Sequence, residues 1–353
     1  MKNISRVFFL PTLLLALTLG AFAGGGTPFG DLVYKFVGDG NFNLEFIEGE
    51  GEATCNIEIS ESASATLVIK PAPKVKGLLK PYHFNIECGA SKLKRLVVDL
   101  GSYQTGAVLL TAKDIGNITT KSADLRIISE GKKISRINAD PGLSEALCPD
   151  AKVGFILVTK YVGNVDDADR SRHEPMPSSC IFFDRVQKIK TLHYNKYKKH
   201  WISQIECNEI GTIRASSISH LRVARKITAL RTYNLTGHII VGCEEDDDQR
   251  GDTNESEGSY SKGKINKIFC ANIYSCIIRA GVPDLQDSLD EYYNSVPALG
   301  IIKKMRAGSV VDSIIVSKRK IKIPGKRFRP YYGNDVEIWE NCKQRNLKLN
   351  PGK

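Results

Sequence analysis

The histidines are the first residues to examine for acid–base chemistry, and the chain has six: His83, His173, His193, His200, His220 and His238. General acid–base catalysis needs at least one of them beside a carboxylate in a cleft. Arg172-His173-Glu174 has the right residue types. It lies, however, in a polar stretch carrying Pro175 and Pro177, where no cleft is expected. The chain contains no G-x-S-x-G elbow, no H-E-x-x-H and no phosphate-cradling glycine loop. Its nine cysteines show neither paired C-x₂-C motifs nor the C…H spacing of a zinc site. The expectation is no catalytic residue, no metal and no cofactor.

Binding chemistry is better represented. His193-Tyr194-Asn195-Lys196-Tyr197-Lys198-Lys199-His200-Trp201 interleaves rings with ammonium groups. Lys318, Arg319 and Lys320 lead through Lys322 and Pro324-Gly325 into Lys326, Arg327, Phe328, Arg329, Tyr331 and Tyr332. Cations neutralise phosphates while exposed rings stack on unpaired bases, a common way of holding single-stranded RNA. The plainer account puts the rings in the core with lysine stems snorkelling past them. That account is preferred for Tyr194 to Trp201, and the binding account for Lys318 to Tyr332. The expected nucleic-acid contacts are Lys318, Arg319, Lys320, Lys326, Arg327 and Arg329, with Phe328, Tyr331 or Tyr332 stacking.

Charge supports an anionic partner. The formal net charge is +11, two units of it from Lys2 and Arg6. One basic block runs from Arg185 to Arg231 and a second from Lys303 to Arg329. Between them an acidic run, Glu244 to Asp248, opens a polar tract read as a solvated loop over 244–263. Such a distribution fits nucleic acid, an acidic glycan or a phospholipid surface, or else a solvated basic surface with no partner.

The first 23 residues carry an address. Lys2 and Arg6 precede an apolar run from Val7 to Ala21, and Ala21-Phe22-Ala23 is a small-x-small cleavage pattern. The run is shorter than the ~20 apolar residues of a membrane span, so a cleaved signal peptide and secretion are expected. Secretion would bring the cysteines into an oxidising environment, where most should pair. Asn117-Ile-Thr, Asn234-Leu-Thr and Asn254-Glu-Ser have the form of glycosylation acceptors.

The elements that must position these groups read mostly as short strands. Leu32–Val37, Thr54–Ile59, Ala65–Ile69 and Arg95–Val98 alternate or run in β-branched and aromatic residues between Gly, Pro and Asn clusters. Leu125 to Ile137 reads as a hairpin turning at Glu130-Gly131-Lys132. The spacing of Ile218, Leu221, Ala224, Ile227 and Leu230 predicts a helix over 216–231. A second helix is predicted from Pro283 to about Ser295. The fold class expected is α+β, strand-dominated, with antiparallel sheets and few helices. The boundaries drawn are a signal peptide at 1–23, a β-rich domain at 24–163, a linker at 164–179 and a basic α+β domain at 180–353. Ile86-Glu87-Cys88 recurs as Ile205-Glu206-Cys207, and Asp124–Ser129 as Asp312–Ser317, which reads as a weak internal duplication.

In this order Cys207, the predicted helix, the strand Asp312–Ser317 and Cys342 resemble the small guanyl-type fungal ribonucleases. The secreted ribonuclease-like effectors of powdery mildew fungi are the relatives the pattern is most similar to. The resemblance implies two tandem ribonuclease-like domains. With the duplication, it also implies disulfides Cys88–Cys148 and Cys207–Cys342. Leu125 and Ser313 stand where that family has its catalytic arginine, and the strands after them carry no histidine. A pseudoenzyme is therefore implied. The function expected is a secreted, non-catalytic binding protein that holds RNA or a host protein through its basic C-terminal half, with entry into a host cell open. An active secreted ribonuclease or other hydrolase, and a structural glycan-binding protein, are the alternatives.

Overall fold

The computed structural model describes residues 14–19, 27–29, 31–60, 62–73, 75, 80–101, 106–163, 180–192, 200–244, 259–260, 262–281, 298–323, 331–333, 335–340 and 343–347. Within them the chain winds as a coil of strands around one core, each turn pairing in parallel with the turn before and the turn after. The stretch Ile205–Ile218 shows the plan. Its residues 205–207 pair with Ile181–Phe183 and with Leu221–Val223. Residues 209–214 pair with Arg185–Lys190 and with Lys226–Arg231. Residues 217–218 pair with Trp201–Ile202 and with Asn234–Leu235. This turn thus has three sides, here called first, second and third in chain order, and the first two recur from Tyr82 onward.

Inward positions of successive turns stack into ladders of like residues. On the first side Ile57, Ile86, Leu110, Ile127, Ala146, Ile181, Ile205 and Leu221 follow one another, all buried. On the second, Leu96, Ile118, Ile137, Ile156, Ile189, Ile213, Leu230, Ile268 and Met305 do the same. Each fully buried aliphatic side chain contributes about 1.5–3 kcal/mol, and the two rows belong to a single core. Antiparallel pairs close the ends. Leu32–Val37 lies on Ala65–Pro71 and Asn41–Glu48 on Ala53–Ser60 at one end. At the other, Val336–Glu340 meets Lys343–Gln344, where Arg345 is bound to Glu340 at 2.7 Å. Such caps cover edges that would otherwise pair with another chain. Leu14–Leu19, within the apolar run read as a signal sequence, pairs antiparallel with Asn41–Glu48.

This architecture corrects the expected fold class. The described residues contain no helix, and the sheet is parallel apart from its ends, so α+β with antiparallel sheets does not hold. Among the described residues the helix and antiparallel sheet of tandem ribonuclease-like domains are likewise not found. Residues 216–231, predicted as a helix, form the end of one strand, a corner at Ser219 and His220, and the start of Leu221–Val241. Their spacing of three arises because inward residues flank a corner: Ile218 ends the third side and Leu221 begins the first. Val223, also buried, lies off the proposed helical stripe. The hairpin over 125–137 is instead a corner, since Ala123–Ile128 and Lys133–Ala139 both run parallel to Gly106–Lys121. The helix predicted from Pro283 and the stretch 164–179 lie outside the described residues. The strands on either side of 164–179 are adjacent rungs, Ala146 pairing with Ile181.

The duplication has a simpler origin. Ile86-Glu87-Cys88 and Ile205-Glu206-Cys207 occupy the same positions on the first side of different turns. That match is the repeat of the coil, whereas Asp124–Ser129 lies on the first side and Asp312–Ser317 on the third, so the second match has no common position. The implied Cys88–Cys148 disulfide fails for the same reason. Glu87, Thr111, Ile128 and Leu147 stack on four successive rungs, and Cys88 and Cys148 directly follow the first and last of them. Three steps of about 4.8 Å separate thiols that a bridge requires within one step. Cys55, Cys88, Cys148, Cys207, Cys270 and Cys276 form no disulfide, the Cys180 thiol donates to Gln204 at 2.9 Å, and Cys342 lies outside the described residues.

Candidate polyanion-binding face

The outward positions of the second side form three parallel rows. One runs Val97, Thr119, Asn138, Leu157, Lys190, Arg214, Arg231, Phe269, Arg306. The next runs Arg95, Asn117, Arg136, Phe155, Lys188, Thr212, Ala229. The third runs Lys133, Lys152, Arg185, Glu209, Lys226, Lys264. At about 4.8 Å per rung the longest row extends roughly 40 Å. On this side the inward aliphatic residues recur three apart, as Val186 and Ile189 or Ile210 and Ile213 do, and the residues beside and between them lie on the outer surface.

The result is a cationic face. Among its described residues the acids on these rungs are both engaged within the protein. Glu209 pairs with Arg185 at 3.1 Å. The Asp114 carboxylate accepts from the backbone N–H groups of Lys132 and Lys133 at 2.9 and 3.1 Å. The basic groups crowd one another instead. Lys303, and beyond it burial and Lys226, hold the Lys264 ammonium below the usual lysine range. Both rings among the described residues of these rows lie against cations. Arg136 lies 5.0 Å from the Phe155 centroid, with Lys188 and Lys190 each at 5.6 Å. Arg231 and Lys304 lie 5.7 and 5.9 Å from Phe269.

The residues singled out in the sequence have varied fates. Lys318, Arg319 and Lys320 are exposed on the turn into Lys322, which stacks on Lys304 at the C-terminal end of this face. Tyr331 is 42% exposed, but on the third side, beside Ser309. Tyr332 packs against the core, where burial raises its hydroxyl pKa, so it is not an open stacking ring. Lys326, Arg327, Phe328 and Arg329 lie outside the described residues. Trp201 stacks on Tyr161 of the neighbouring rung at 5.4 Å, and His200 is buried, so these rings belong to packing. Most of the cationic rows escaped sequence reading because each turn contributes only two or three of their members.

The described histidines are not gathered around a carboxylate. His83 pairs with Glu52 at 3.0 Å on the surface. His220 and His238 stack at 5.9 Å in the interior. His173 and His193 lie outside the described residues. Asp124 forms a small polar cluster, accepting from Tyr161 at 2.8 Å and from Ser144. Among the described residues no group of acids, histidines and cysteines could hold a metal. No family model matches the chain, and neither a curated protein nor a solved structure matches it.

Proposed function

We propose that this is a secreted, non-catalytic binding protein that holds an extended polyanion along the second side of its coil. The observation that carries the reading is the continuous cationic face, on which Lys190, Arg214 and Arg231 occupy consecutive rungs and both nearby acids are already engaged. A single ion pair on a surface contributes little. A row of like charges does more, because a polymer neutralising it releases many counterions at once. Secretion rests on Lys2, Arg6, the apolar run and Ala21-Phe22-Ala23. Binding rather than turnover is favoured because the described histidines are spent on packing or on Glu52.

Inorganic polyphosphate isolates the charge from any other recognition and is the probe of choice. Affinity should fall steeply with salt, and replacing Lys190, Arg214 and Arg231 together by Ala should weaken binding and flatten that dependence. An unchanged salt slope in the triple variant would remove the reading.

A further inference from the structure

The face also says which polymer it suits. We infer, resting on the reading above, that the natural polyanion is a linear acidic polysaccharide rather than RNA. Single-stranded RNA binding relies on rings left open for bases to stack upon. Among the described residues of its three rows Phe155 and Phe269 are the rings, and each already lies against cations of its own and neighbouring rungs. What remains toward solvent is charge interspersed with amides and hydroxyls. Gln187 sits on the strand between Arg185 and Lys188, and Thr212 stacks directly on Lys188. Asn138 supports the Arg136 guanidinium at 3.0 Å from its neighbouring place on the same strand. Charge recognises carboxylate or sulfate, while amide and hydroxyl groups recognise sugar hydroxyls, which a phosphate chain lacks at that density. The rows run straight across the rungs at a constant step of about 4.8 Å, which suits a stiff, unbranched chain with regularly recurring charge.

The test titrates the full chain with four probes near 0.15 M salt: polygalacturonate, a sulfated glycosaminoglycan, polyuridylate of matched charge number and polyphosphate. One acidic glycan is expected to bind at least about tenfold more tightly than polyuridylate, a difference readily resolved by titration. Whichever glycan binds more tightly names the anion. Gln187→Ala with Thr212→Ala should weaken glycan binding several-fold and leave polyphosphate binding unchanged. Polyuridylate binding as tightly as either glycan would overturn this inference and leave the polyanion reading standing. Failure of all four probes to bind would overturn both.

Discussion

The guanidinium of Arg136 sits 5.0 Å from the centroid of the Phe155 ring, which belongs to the next turn of the coil. From the turn beyond, Lys188 and Lys190 approach the same ring, so one aromatic side chain ties three turns together. Each such contact contributes about 0.5–1 kcal/mol at a partly exposed site. Phe155→Ala should therefore lower stability by about 1–2 kcal/mol in urea unfolding, and Phe155→Trp should restore much of it. An alanine variant unfolding at the wild-type midpoint would show that the ring is a bystander.

The inward ladder of the second side should be far less tolerant. Ile156 lies fully buried between Ile137 and Ile189 of the neighbouring turns. Ile156→Ala should cost about 2–5 kcal/mol and Ile156→Val about 0.5–1.5 kcal/mol. Chemical denaturation of the pair measures both. Equal midpoints for alanine and wild type would mean that this row is not packed as described.

The thiols give a pH prediction with a definite sign. Burial pushes Cys148 up to about 12 and Cys55 up to about 11. An unfolded thiol ionises near 8.5, so between that value and the folded one the unfolded chain binds fewer protons. The stability these thiols contribute is full below about pH 8.5 and is lost as pH rises toward 11–12. Cys148→Ala should show a shallower alkaline decline than wild type. Native protein should also react slowly with a thiol reagent at pH 8, and reducing agent should not lower its melting temperature. A melting temperature that drops on reduction would restore the disulfides.

Gly237 has φ +61°, and a Cβ built there would come within 2.7 Å of the His220 ring. Gly237→Ala combines backbone strain with a clash against a buried side chain. It should destabilise by roughly 1–3 kcal/mol, read as a fall in melting temperature. The neighbouring His238, stacked on His220, should lose its ordered ring contact in the same variant, seen as altered imidazole resonances. Wild-type stability would contradict the close approach.

Much of the local structure was legible in the sequence. Leu32–Val37 is a strand over the residues expected, and Thr54–Ile59, Ala65–Ile69 and Arg95–Val98 fall inside longer strands. Alternation identifies a strand with one wet side, but it does not distinguish parallel from antiparallel partners. A parallel sheet usually has both faces covered, whereas here the coil leaves its outer face to solvent, so the pattern looked antiparallel. The turns also vary in length, short from Ile205 to Leu221 and long from Ala146 to Ile181, which hides the period that announces a solenoid. The block from Arg185 to Arg231 was visible as charge. Its alignment with Arg136, Lys264 and Arg306 exists only once the chain is wound.

Lysine reactivity measured by mass spectrometry, with and without bound polyphosphate, decides whether the second side is where a polyanion lies. Polyphosphate should protect Lys152, Lys188, Lys190, Lys264 and Lys304 on the second side and leave Lys35 and Lys70 of the N-terminal cap and Lys343 of the C-terminal cap unchanged. Protection confined to the caps, or uniform across all of these lysines, would contradict it.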